Sequence, residues 1–258
     1  MPALEPGRLA GLLAAAALIL TPAGCGEEVN RTEEARVVEG SAPAFAPEPA
    51  VRPADRVEPA AGRWLTARMR RAAPLRSAPG GRVVVRVKTR TEFGSPRVLG
   101  VVRRRGAWLQ VVATELPNGS RAWIRASDAR VTSTDWSLHI DRSARRLVVR
   151  RDARRVASLP VAVGRPGTPT PLGRFTVTDE LRPERSDSPY GCCILALSGR
   201  QTRLVEGWPG GDRLAIHATP QTETIGTAAS LGCLRATAAD MRMLMRRVPL
   251  GTPVFIRS

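Results

Sequence analysis

The chain has 258 residues, 43% of them hydrophobic, with 22 Pro, 23 Gly and 4% aromatics. That length suits one large domain or two small ones with a packed core, and the Gly and Pro content argues against long helices in favour of short strands and turns. The net charge of +17 is uneven: residues 1–61 carry 5 basic and 9 acidic side chains, 62–132 carry 16 and 3, and 133–258 carry 19 and 11. The basic middle points to an anionic partner, with nucleic acid, anionic lipid and anionic cell-wall polymer as the classes. A solvated surface in an arginine-biased chain, where Lys88 is the only lysine, explains the same numbers.

Leu9 to Pro22 is an apolar run preceded by Arg8 and followed by small residues and Cys25. It is too short for a stable membrane span and has the layout of a secretory signal peptide. The stretch PAGC resembles a bacterial lipobox, with Ala23, Gly24 and Cys25 in place and Pro22 where Leu is usual. That resemblance implies a lipid on the Cys25 sulfur and an exported protein tethered at the membrane, facing the cell wall. An ordinary signal peptide cleaved nearby is the other reading of residues 1–25. Residues 26–61 are rich in Glu, Ala and Pro without a sustained period, which predicts a disordered linker. Fully polyproline-like, it would reach roughly 110 Å at about 3.1 Å per residue.

Residues 62–132 predict a small barrel of short strands. Val83, Val85 and Val87 alternate, and the run from Arg97 to Ser127 reads as three strands with turns at Arg105-Gly106 and Asn118-Gly119. This segment resembles a bacterial SH3-like domain, which implies a wall-peptide binder or a packing partner for a catalytic neighbour. A spacer without a ligand is the alternative.

Residues 133–258 open with strands again. Trp136, Leu138 and Ile140 share a face opposite His139, and a hairpin should turn at Asp152-Ala153. The one clear helix follows the Thr237–Asp240 capping pair, with Met241, Leu244, Met245 and Val248 on one side and Pro249 and Gly251 ending it. A closing strand has Val254 and Ile256 on one face. The fold class is mainly β with one short helix.

The chemistry-bearing residues are few. No CxxC pair or His-rich spacing exists, so neither zinc nor another metal is expected, and no Walker or GxGxxG loop is present. Cys233 in SLGCLRA reads as a buried small hydrophobe, a disulfide half or a nucleophile. His217 in LAIHAT lies 16 residues earlier, across a Gly/Ala/Thr-rich loop that lets the two meet. Ser230 can bond an imidazole, and Gly232 leaves the backbone N–H groups of 232 and 233 open as an oxyanion hole. Cys192 and Cys193, in an extended segment, would point opposite ways and stay buried free thiols.

The ordered landmarks TPLGRFTV (ending at Val177), YG (190–191), IHAT (216–219), SLGCLR (230–235) and LGTPVFI (250–256) resemble the YkuD-type L,D-transpeptidases. The resemblance implies a β-sandwich catalytic domain over 133–258, with Cys233 as nucleophile and His217 as base and then acid. Ser230 would hold the imidazole and shape the site with Gly232. Arg235 would bind a stem-peptide carboxylate, in a substrate region that includes Tyr190, Leu231 and Thr219. The implied reaction is peptidoglycan 3→3 cross-linking through a thioester, without cofactor or nucleic acid, and family members are commonly inactivated by carbapenems. With water as acceptor the same site is an L,D-carboxypeptidase. A non-catalytic wall-binding protein is the rival class. Leu231 stands where many members carry His, and Ala218 where they carry Gly. If Cys25 carries the lipid, Cys25→Ala moves the protein from the membrane fraction to the soluble fraction; retention at the membrane refutes lipidation there.

Overall fold

Period-two runs broken by turns give two antiparallel-rich sheets. The computed structural model describes residues 62–185, 187–203 and 211–258. The signal-peptide, lipobox and linker readings of residues 1–61 lie outside them.

The first sheet has seven strands: β1 (Trp64–Met69), β2 (Ala73–Arg76), β3 (Val83–Val87), β4 (Val98–Arg105), β5 (Trp108–Val112), β6 (Ala122–Arg125) and β7 (Ala129–Thr134). Their spatial order is β3-β2-β6-β5-β4-β1-β7, every pair antiparallel. Alternating residues such as Leu75, Leu99, Leu109, Val111 and Ile124 form its own apolar cluster. The valine alternation in β3 is only partly used: Val87 is buried but Val83 is exposed, as an edge strand permits.

The second sheet has eight strands: β8 (Trp136–Asp141), β9 (Arg146–Arg151), β10 (Arg154–Pro160), β12 (Gly173–Leu181), β13 (Ile194–Arg200), β14 (Arg213–Ala218), β16 (Leu234–Ala236) and β17 (Pro253–Arg257). They run in the order β10-β9-β8-β17-β12-β13-β14-β16. β11 (Val163–Gly164) and β15 (Ala228–Ser230) form a separate parallel pair. The helix α1 (Ala238–Arg247) begins where Thr237 Oγ1 accepts from the Asp240 N–H at 3.1 Å, and buries Met241, Leu244 and Met245. Leu138, Ile140, Val254 and Ile256 enter the second apolar cluster with them, as the alternation requires. No helix among the described residues is long and apolar enough to cross a membrane.

The two sheets are tied at several places. Gly100 and Gly251 allow close backbone approach: a Cβ on Gly100 would crowd Thr176, and one on Gly251 would strike Val98 and Thr66. Arg174 lies over the rings of Trp64 and Phe255 and donates to the Val101 carbonyl at 3.1 Å. In the loop after β3, Thr91 donates to the buried carboxylate of Asp179, while Glu92 pairs with Arg213. The Asn118-Gly119 pair is used differently from a two-residue hairpin. It sits in a turn closed by Ser120 N–H to the Pro117 carbonyl, and the Asn118 amide brackets the Arg200 backbone across the sheets. The β4–β5 turn falls at Gly106-Ala107, one residue beyond expectation.

The β9–β10 hairpin does turn at Asp152-Ala153, with φ of 49° and 63°. Such a turn matches the twist of the flanking strands but disfavours a Cβ at its second position. Ala153→Gly is therefore expected to raise stability by roughly 1 kcal/mol, read as a higher urea midpoint at unchanged slope; a lower midpoint refutes the strain.

Candidate functional site

The β14–β16 edge of the second sheet gathers the residues with chemistry. His217 sits on β14, is 5% exposed, and is paired in register with Arg235 on β16. Its Nδ1 lies 2.6 Å from the Ala218 carbonyl oxygen. A carbonyl only accepts, so Nδ1 carries the proton and the neutral ring presents Nε2 as a bare acceptor. Burial, opposed in part by the Ala218 carbonyl and helped by Arg235, pulls the imidazole down to about 4. Tyr190 stands edge-on to this ring, centroids 5.0 Å apart at 78°. Burial, and after it the nearby Cys233 sulfur, raises the Tyr190 phenol.

Cys233 is a free cysteine whose thiol donates to the Arg213 carbonyl at 3.7 Å. Burial raises the thiol above its ordinary range, while the Ala215 backbone and Arg235 pull the other way. The resting site thus holds a neutral thiol and a neutral imidazole near pH 7 instead of an ion pair. No hydrogen bond joins the two among the described residues. The thiol proton is directed instead to the Arg213 carbonyl.

The turn that carries Cys233 is fixed on every side. Ser230 Oγ donates to the Cys233 carbonyl at 2.6 Å and accepts the Gly232 N–H at 3.0 Å. The Ser230 carbonyl accepts from the Arg165 N–H at 2.9 Å and from Thr168 Oγ1 at 3.3 Å. The Gly232 carbonyl accepts from Thr170 Oγ1 at 2.8 Å, and the Leu231 carbonyl from Gln201 Nε2 at 3.0 Å. Gly232 has φ 125°, and a Cβ there would collide with the Gln201 amide, so only glycine fits. Two sequence expectations change here. The Ser230 hydroxyl serves the turn and not the imidazole, because its single proton goes to the Cys233 carbonyl. The Gly232 N–H is spent on Ser230, so it is not open as the oxyanion-hole expectation required.

The remaining expected residues scatter. Arg235 is half-buried, and its Nη1 donates to Gln221 Oε1 at 3.2 Å. Leu231 enters the site through its backbone, as just described. Thr219 Oγ1 caps the next turn by accepting the Gln221 N–H at 3.1 Å. Ala218 is fully buried, and a Cβ on Gly191 would strike its methyl, so that methyl presses on the turn carrying Tyr190. Tyr190 also lines a shallow open depression with Arg182, Pro183, Glu184, Arg185, Asp187, Ser188 and Pro189. Cys25 lies outside the described residues.

Cys192 and Cys193 are joined as a disulfide, contrary to the expected free thiols. The expectation assumed an extended segment, but Cys192 lies in a turn and β13 begins only at Ile194, so strand alternation does not separate the two sulfurs. Among the described residues no cluster of His, Cys, Asp and Glu could hold a metal ion. Gln201, Thr168, Thr170 and the Arg213 carbonyl were missed as site elements. Thr170 opens the TPLGRF landmark, whose fixed Thr is the one signal that could have found it. Gln201 follows the strand ILALSGR with no spacing that marks it.

Residues 135–256 match the model of YkuD, the L,D-transpeptidase catalytic domain. Over 103 residues the chain is 34% identical to a Bacillus licheniformis protein assigned as L,D-transpeptidase YkuD, covering 40% of this chain and 54% of that one. A Bacillus subtilis protein of the same assignment is 32% identical over 113 residues, covering 44% and 60%. The chain spans little more than half the length of these curated relatives. Among solved structures, L,D-transpeptidase 3 from Mycobacterium tuberculosis, in complex with a faropenem-derived adduct, superposes with a TM-score of 0.41. Its identity is 19%, over 65% of this chain and 76% of that one.

The buried imidazole makes stability pH-dependent. The folded value of about 4 lies below the ordinary 6.5, so the unfolded chain takes up the proton first as pH falls. The contribution is fully present above pH 6.5, falls as pH drops toward 4, and amounts to roughly 3 kcal/mol at most. Urea midpoints measured from pH 7 to 4 should decline, and His217→Gln should flatten part of that slope; an unchanged slope overturns the assignment.

Proposed function

We propose that this chain is an L,D-transpeptidase of the bacterial cell wall in which Cys233 is the nucleophile and His217 the proton carrier. The observation that carries the reading is the His217 tautomer: Nδ1 is tied to the Ala218 carbonyl, so Nε2 is left as a base on β14, the strand whose Arg213 carbonyl receives the thiol of Cys233, the only free cysteine of the described residues. The match of residues 135–256 supports the reaction class.

The steps follow from these positions. His217 Nε2 takes the thiol proton as Sγ attacks the carbonyl of the L,D bond after the third residue of a donor stem. The Cys233 N–H steadies the oxyanion. The C–N bond breaks, His217 returns the proton to the departing D-alanine amine, and a thioester remains. The amine of a neighbouring stem attacks the thioester, His217 takes its proton, and the thiol is released with a 3→3 amide formed. Water in place of the amine gives the carboxypeptidase reaction. Arg235 stands beside both groups, where its charge disfavours the imidazolium, favours the thiolate and suits a substrate carboxylate. Tyr190, edge-on to His217, would line the path of the donor stem.

The outlying segments fit an envelope setting. Residues 62–132 would be an SH3-like module whose excess of arginine holds anionic wall polymer, and Cys25 would anchor the chain by lipid across the 26–61 linker. No nucleic acid or cofactor enters this reading.

Incubation of the purified protein with a carbapenem, followed by intact-mass measurement, tests the nucleophile. One covalent adduct is expected on the native chain and none on Cys233→Ala. Absence of the first, or persistence of the second, refutes the assignment.

A further inference from the structure

We propose that Gln201 is the positioning residue for the nucleophile, and that Asn118 of the first sheet holds it in place through the backbone of Arg200. This rests on the reading of Cys233 as nucleophile.

Gln201 is 7% exposed. Its Nε2 lies 3.0 Å from the Leu231 carbonyl, 3.3 Å from that of Thr168 and 3.2 Å from that of Pro169. Two protons shared among three carbonyls join the cysteine turn to the segment that carries Thr168 and Thr170. Those threonines bond the Ser230 and Gly232 carbonyls, so one amide ties together both sides of the turn. The same amide occupies the space that Gly232 leaves open, so it also sets the turn sterically. The Gln201 Oε1 accepts the Arg203 N–H at 3.0 Å, which fixes which end of the amide faces the carbonyls.

The position of Gln201 is itself set from outside the second sheet. Asn118 Nδ2 donates to the Arg200 carbonyl at 2.6 Å, and the Arg200 N–H donates back to Asn118 Oδ1 at 2.9 Å. The Arg200 side chain adds a bond to the Thr114 carbonyl and an ion pair with Asp212, whose own carbonyl accepts the Gln201 N–H at 2.7 Å. The end of β13 is thereby clamped between the first sheet and the start of β14. A second route runs in parallel: Arg213, whose carbonyl receives the thiol, has its side chain held by Glu92 of the loop after β3 and by the Leu197 carbonyl. The first sheet therefore reaches the sulfur without touching it.

The test uses the full chain and separates rate from affinity. Carbapenem acylation is followed by mass against inhibitor concentration, with iodoacetamide alkylation of Cys233 and thermal unfolding in parallel. Misplacement of a reacting group by about an ångström can cost on the order of 100-fold in rate. Gln201→Ala and the similar-sized Gln201→Met should each lower the limiting acylation rate about 10-fold or more, with half-saturation changed less than about 2-fold. Alkylation by the small reagent should be altered about 3-fold or more, since the turn no longer holds one thiol geometry. Asn118→Ala should lower acylation about 3-fold and add nothing further in the double variant with Gln201→Ala, because the two act in series. Native acylation rates in both Gln201 variants overturn the proposal, as do multiplicative losses in the double variant. If the native chain is not acylated at all, the functional reading fails on its own. The alkylation rates then decide the positioning role, with equal rates in native and Gln201 variants rejecting it.

Discussion

The site depends on a single backbone conformation. Gly232 at φ 125° turns the chain so that Cys233 faces β14, and no other residue can take that angle with the Gln201 amide packed where a Cβ would be. Every carbonyl from Ser230 to Cys233 then has a hydrogen-bond partner, drawn from Arg165, Thr168, Gln201, Thr170 and Ser230. Buried carbonyls are costly when unpaired, so these partners make the turn rigid as well as correctly shaped. The sulfur's place over Arg213 and Ala215 follows from the turn, and the field of Arg235 acts on it because β16 leaves the turn directly into register with β14.

Much of this was legible before any coordinates. The helix, its Thr237 cap, the Asp152-Ala153 turn and the inward faces of β8 and β17 follow from periodicity and turn chemistry, which act over a few residues. His217 and Cys233 were legible as a pair because the landmarks around them are ordered along the chain. The contacts that set the turn were not. Gln201 and Leu231 are 30 residues apart, and Asn118 and Arg200 are 82 apart, so only packing brings them together. A hydroxyl such as Ser230 has several partners within reach, and the choice among them depends on where the turn lies. The pairing of Cys192 with Cys193 escaped for a related reason: it depends on where β13 begins, and strand ends are the least certain part of any sequence reading.

The two sheets also divide their labour in an unexpected way. Seen as sequence, the basic segment before residue 133 is a separate module with its own core, and it does keep its own apolar cluster. Yet glycine-lined contacts at Gly100 and Gly251, the Arg174 stack and the Asn118 clamp make it a buttress for the sheet that bears the site. The packing draws on backbone, threonine and aromatic groups and also on Arg174, Arg200 and Arg213 of the second sheet.

Finally, the neutral thiol has a consequence beyond the reaction. Peroxides and disulfides react with thiolates, and susceptibility to oxidation follows thiolate character. A cysteine whose burial keeps the proton on sulfur is shielded from that damage while it waits. Cys192 and Cys193 are bonded to each other, and a Cys233 that keeps its proton is a poor attacker of that disulfide as of any other. On the proposed reading the fold thus stores its nucleophile in a chemically quiet form, and the proton transfer to His217 that would start the reaction would also end the protection.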